Sequence, residues 1–183
     1  MKSFYLSYYR DFQVIDNMKK NILVQYEHTA RQLLKLISSF SRDELNTIPY
    51  AGSWTAAQVV SHVTKSNQSI VQALNLEAKT TNRKPDIRVE ELRTIFLDFN
   101  TKLQSPDFIL PKNGTYNKEV IIADLQKSIE QLKEESENVN LSGAIHHIAF
   151  GDITKLELLH FVVYHTERHI YQLKNIFRLV FTA

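Results

Sequence analysis

The sequence predicts an all-α protein, a four-helix bundle in one domain spanning residues 1–183. Two observations carry that reading. Four glycines and four prolines among 183 residues are too few for the tight turns of an all-β fold. Four long segments also place apolar residues at spacings of three and four, the period of a helix with one buried face.

Residues 1–17 read as an N-terminal extension. Phe4, Tyr5, Tyr8, Tyr9 and Phe12 fall along one side of a short helix there. Packing on the body is the expected role, and a subunit-contact arm is the sharper alternative. The first long helix runs from about Asn17 to Ser39, with Ile22, Tyr26, Ala30, Leu33 and Ile37 as its stripe. Ser41-x-x-Glu44 is a capping box for a short turn, after which Pro49 and Gly52 break the chain. The second long helix starts near Thr55, where Thr55 and Gln58 form another capping box. It buries Val59, Val63, Ile70 and Leu74 and ends before Asn82.

A shorter helical pattern spans Arg88 to about Gln104, with Leu92, Ile95, Phe96 and Phe99. Ser105 to Asn117 reads as a loop, given Pro106, Pro111 and Asn113-Gly114, and is long enough to form a functional cover. The third long helix spans Lys118 to Asn138, with Lys127, Glu130, Lys133 and Glu134 on its solvated side. A loop through Gly143, His146 and His147 leads to Gly151. Thr154-x-x-Glu157 then caps the last helix, which runs to about Phe177.

Composition narrows the function. Without cysteine there is no disulfide, thiolate metal site or cysteine nucleophile. Any bound metal must use imidazole, carboxylate or carbonyl ligands. The absence of cysteine fits a reducing cytoplasm, and a cytoplasmic location is expected. A formal charge of +2 with no long basic run gives no sign of nucleic-acid binding. No apolar stretch approaches a membrane span, and Arg10, Asp11 and Asp16 interrupt any signal-peptide core.

The chemistry-bearing pattern is histidine. His165-x-x-x-His169 puts two imidazoles on one helix side, with Cβ atoms about 5–6 Å apart, close enough to share one ion. A surface pair is the bland alternative, but Phe161, Val162 and Leu173 place the pair in the apolar stripe. His62 sits near the core side of the second helix, beside Val59 and Val63. Alone it reads as a hydrogen-bonded core residue; with the pair it completes a three-imidazole site. His146 and His147 read as loop and cap residues, with either one lining the metal pocket or donating to a substrate as the alternative. His160 and His28 read as surface residues. Glu157-x-x-His160 has di-iron spacing, but the partner motifs of that class are missing and Glu157 is better explained as a cap.

Trp54-Thr55-Ala56-Ala57-Gln58-Val59-Val60-Ser61-His62 resembles the N-terminal signature of the DinB / YfiT-like superfamily. His146 to Thr154, followed by His165-Thr166-Glu167-Arg168-His169-Ile170-Tyr171-Gln172-Leu173, resembles its C-terminal signature. The likeness covers roughly residues 18 to 178. It implies a four-helix bundle of up-down-down-up type, often dimeric, so a homodimer is the implied assembly. It also implies one divalent metal ion, zinc or nickel foremost, held by His62, His165 and His169. Members include low-molecular-weight thiol S-transferases and metal-dependent hydrolases. One departure stands out: where the family often has glutamate four residues before the first metal histidine, this chain has Gln58, which cannot act as a carboxylate base.

The expected function is therefore that of a metal-dependent enzyme acting on a small molecule. The ion would activate either a low-molecular-weight thiol for transfer or a water for hydrolysis. Gln58 is the candidate positioning residue, and His147 and Arg168 are the candidate substrate-binding residues. For Arg168, a structural ion pair with Glu167 or another carboxylate is the alternative. Trp54 is expected to plug the bundle end. A non-catalytic metal-binding stress-response or interaction module is the alternative to an enzyme.

Overall fold

The structure, a computed structural model, describes residues 2–181, with side chains from residue 13 onward. In chain order the elements are helices α1 (Lys2–Ser38), α2 (Arg42–Asn46), α3 (Ala56–Leu74) and α4 (Val89–Leu97), a 3-10 turn at Asp107–Ile109, helix α5 (Lys118–Asn138), strands β1 (Ala144–His147) and β2 (Gly151–Thr154), and helix α6 (Lys155–Phe181). The four long helices α1, α3, α5 and α6 form the bundle.

Two apolar clusters fix how these helices run. One joins Ile22 and Tyr26 of α1 to Ile70 and Leu74 at the end of α3, Leu132 late in α5, and Leu156 and Leu159 at the start of α6. The other joins Leu33 and Ile37 at the end of α1 to Ala56 and Val59 at the start of α3, Ile121 and Leu125 early in α5, and Leu173 and Ile176 late in α6. Helix α1 therefore runs from the first cluster to the second, α3 and α5 both run back, and α6 returns. The order is up-down-down-up. Helices α3 and α5 are parallel neighbours, which a short turn cannot join, so the chain needs the long crossover of residues 75–117.

Local chemistry starts the elements where the sequence places them. Ser41 and Glu44 cap α2 reciprocally, and Thr55 and Gln58 do the same for α3. Thr154 and Glu157 close a third box on α6, at 2.9 and 3.1 Å. Asn117 accepts from the Val120 N–H and starts α5. Each such cap is worth about 1 kcal/mol.

Three expectations change. The N-terminal extension and the first helix are one continuous helix, α1; the aromatic side chains of residues 4–12 lie outside the described residues. The helix expected from Arg88 to Gln104 stops at Leu97, because the Asp98 carboxylate accepts from the Asn100 N–H and the Thr101 hydroxyl and bends the chain. The loop expected before α6 contains a hairpin: β1 pairs antiparallel with β2, His146 opposite Asp152 and His147 opposite Gly151. Gly151 turns at φ 64°, a conformation suited to glycine. Four-residue strands are too short to show a period of two, and this pair is held by tertiary contacts. Lys79, just after α3, bonds to Ala144 in both directions at 2.8 and 3.0 Å.

That junction is tight. A Cβ added at Gly143 would lie 2.6 Å from the Cβ of Ala78. Gly143→Ala is expected to destabilise the fold by about 1–3 kcal/mol, read from the urea midpoint, because the hairpin must shift from the crossover to admit it. Among the described residues no helix is long and apolar enough to cross a membrane.

Candidate metal centre

Helices α3 and α6 cross with His62 facing His165 and His169. All three are buried, at 1%, 7% and 7% exposure. The Nε2 atom of His165 lies 3.1 Å from Nε2 of His62 and 3.1 Å from Nε2 of His169. Among the described residues they form the one group of three or more His, Asp or Glu side chains close enough to hold an ion.

The outer nitrogens are tied down. The Nδ1–H of His62 donates to the Ile109 carbonyl at 3.1 Å, and the Nδ1–H of His169 donates to Oε1 of Gln172 at 2.9 Å. An oxygen of either kind only accepts, so both rings carry their proton on Nδ1 and turn an Nε2 lone pair toward His165. His165 has one Nε2 and can hold one proton there. It cannot satisfy both neighbours, and an unsatisfied buried lone pair is costly. A shared cation would satisfy all three. An ion about 2.0–2.1 Å from each nitrogen matches the observed 3.1 Å spacing.

Electrostatics agree. Burial, aided by the Lys65 charge, lowers the His62 pKa despite the favourable Ile109 carbonyl. Burial and then the two neighbouring imidazoles push His165 well down. Burial, with His62 adding to it, pushes His169 down to about 3. The three rings stay neutral near neutral pH, the form that binds a metal.

The triad forms one wall of a cavity of about 290 Å³. Phe161 of α6, Phe96 of α4 and Phe150 of the hairpin turn line it beside His165. Their rings meet at 4.9 Å for Phe96–Phe161 and 4.7 Å for Phe150–Phe161. Ser66 and Ser69 of α3 and the segment Leu103–Pro106 complete much of the rest. Trp54 packs beside His62, with ring centroids 5.2 Å apart.

The model of the DinB superfamily matches residues 25–173, most of the chain. The chain belongs to the DinB superfamily. It is 26% identical over 147 residues to the uncharacterized protein YuaE of Bacillus subtilis (strain 168), covering 76% of this chain and 87% of YuaE. Among solved structures it resembles TT2238, a four-helix bundle protein, with a TM-score of 0.57 at 20% identity, covering 86% of this chain and 98% of that one. It also resembles YfiT from Bacillus subtilis, described as a probable metal-dependent hydrolase with an unusual four-helix bundle topology. The TM-score is again 0.57, at 17% identity, covering 87% of this chain and 86% of YfiT. At these identities the solved structures establish the four-helix-bundle fold.

Within this DinB bundle the other candidates separate. His147 is buried, stacks on Phe150 at 4.9 Å and lines the cavity, whereas His146 is exposed and pairs with Asp152 at 2.9 Å. Arg168 also lines the cavity, but it forms no ion pair among the described residues. Its guanidinium donates to the carbonyls of Phe96 at 3.3 Å and Asp98 at 2.7 Å, and to that of Thr101, closing the carbonyl end of α4. Gln58 does not line the cavity. Its Oε1 caps Thr55 and its Nε2 donates to Lys112 and Asn113 at 3.4 Å, holding the loop that carries Ile109. His28 is exposed as expected, while His160 is half-buried beside the Tyr164 hydroxyl.

Sequence reasoning missed the aromatic wall and both orienting acceptors. Gln172 follows His169 by three positions, a helical spacing that could have flagged it. The Ile109 carbonyl is a backbone atom and leaves no mark in the sequence.

Proposed function

We propose that this protein is a metal-dependent enzyme of hydrolase type, acting on a small molecule at an ion held by His62, His165 and His169. The observation that carries the reading is the Nε2 of His165 lying 3.1 Å from those of both His62 and His169, on the wall of a cavity large enough for a substrate. Three protein ligands leave room for an exchangeable one, the pattern of a catalytic rather than a closed structural site. The likeness to YfiT supports the hydrolytic side of the reading.

When bound, a divalent ion supplies Lewis acidity, which makes water or a thiol nucleophilic near neutral pH. The chain's own groups hold and orient. Ile109 and Gln172 fix the ring planes of His62 and His169. Gln58 positions the Ile109 loop through Lys112 and Asn113. His147 binds substrate. Its Nδ1 accepts from the Ala149 N–H at 3.1 Å, so its proton sits on Nε2, which has no protein partner among the described residues. That N–H is available to a substrate acceptor. Arg168 holds α4, and with it Phe96, against the substrate.

Transfer of a low-molecular-weight thiol is the second reading, favoured by one observation: among the described residues no carboxylate lines the cavity. A thiol is acidic enough to need no carboxylate base.

The test is elemental analysis of untagged protein beside a His165→Ala/His169→Ala variant. About one equivalent of a divalent ion, lost in the variant, is expected. Assays of ester and amide hydrolysis and of thiol transfer on the loaded protein then separate the two readings. A wild-type protein that takes up no ion after reloading with zinc, nickel, cobalt and manganese would overturn both.

A further inference from the structure

Among the described residues the cavity wall contains no Asp, Glu or Lys. Its one formal charge among the described residues is Arg168, and that guanidinium already donates to the carbonyls of Phe96, Asp98 and Thr101, at and just beyond the end of α4. The negative end of the α4 dipole faces the same guanidinium. Burial lowers the pKa of His147, so it too brings no positive charge near neutral pH. An anionic group on the body of the ligand, away from the ion, would therefore lose its hydration and meet no unengaged cation on the cavity wall.

The apolar surface is contiguous. Phe96, Phe150 and Phe161 make edge and tilted contacts with one another, and Ile70 lies beside them. The wall reaches the surface through Ile95, 41% exposed, and Phe108, 52% exposed. Exposed apolar side chains at a cavity mouth let an apolar group pass in, or extend outward, without meeting charge.

Resting on the metal-site reading above, we infer that the ligand has an uncharged aromatic or other apolar body, seated against Phe96, Phe150 and Phe161, and a polar head directed at the three imidazoles, where the ion would answer any charge the head carries. Edge-on rings suit a flat aromatic body, which packs on them by offset or T-shaped contact. The uncharged polar groups that line the cavity are the His147 N–H, the Gln104 amide and the hydroxyls of Ser66, Ser69 and Ser105.

Three hydroxamates differing only in their bodies test this on zinc-loaded wild-type protein by titration calorimetry. Hydroxamates bind divalent ions through their oxygens, so the head is constant. Benzohydroxamate is expected to bind roughly 10- to 100-fold more tightly than acetohydroxamate, from the apolar area of one ring. A 4-carboxybenzohydroxamate is expected to lose at least about 10-fold against benzohydroxamate. A Phe150→Ser variant should narrow the gap between the first two ligands, and an unchanged gap counts against the inference. Equal affinity for acetohydroxamate and benzohydroxamate, or tighter binding of the carboxylate, overturns the inference and leaves the metal site standing. Failure of all three hydroxamates to bind the loaded protein overturns the inference and the open metal site together.

Discussion

Glu157→Ala is expected to destabilise the protein by about 3–5 kcal/mol, a fall in Tm of roughly 6–20 °C for a chain of this length. The carboxylate is fully buried and receives four donors. Arg83 grips it with both arms at 2.6 and 2.7 Å, and the backbone N–H groups of Arg88 and Thr154 each reach it at 2.9 Å. Truncation leaves a half-buried guanidinium and two backbone donors without their partner. The damage would extend toward the cavity, because Arg88 also holds the Phe150 carbonyl at 2.7 Å. Thermal unfolding and urea titration of the variant measure the loss. A change below about 1 kcal/mol would show that the four donors find other partners.

The same carboxylate predicts a pH dependence. Burial alone would raise its pKa, but Arg83 and the two backbone donors outweigh burial and hold it below its ordinary 4.5. A depressed carboxylate contributes stability that is present above 4.5 and is lost as pH falls through the folded value. Glu157→Gln should therefore lose stability mainly above pH 4.5, and its stability should change less than that of the wild type below it.

Removal of the ion is the second large expected effect. A ligand that binds only the native state stabilises it by about 2.7 kcal/mol at a hundred times its Kd. Adding a chelator to loaded protein should then lower Tm by roughly 5–11 °C. The His165→Ala/His169→Ala variant should show no such shift. Gly143→Ala, destabilised far from the triad in sequence, should keep the full shift although its baseline Tm is lower. A wild-type Tm indifferent to chelator and to added zinc would mean that the three imidazoles fill a polar core instead of holding an ion.

The sequence by itself determined the helices and the ligand candidates. Helical period and capping chemistry are local: Thr55 with Gln58, and Thr154 with Glu157, start α3 and α6 whatever packs on them. The i,i+4 spacing sets His165 beside His169 for the same reason. Tertiary structure alone decided the rest. Residues 144–147 and 151–154 pair only because Lys79 and the start of α6 bracket them. His62 meets His165 only because α3 and α6 cross in opposite directions within the bundle. The Phe96, Phe150 and Phe161 wall draws one ring from each of three elements, and no spacing along the chain encodes their 4.7–4.9 Å contacts. Backbone hydrogen bonding and side-chain direction repeat within a helix and can be read along it. The meeting of side chains from separate helices depends on how the apolar faces pack, and becomes visible only when the bundle is assembled.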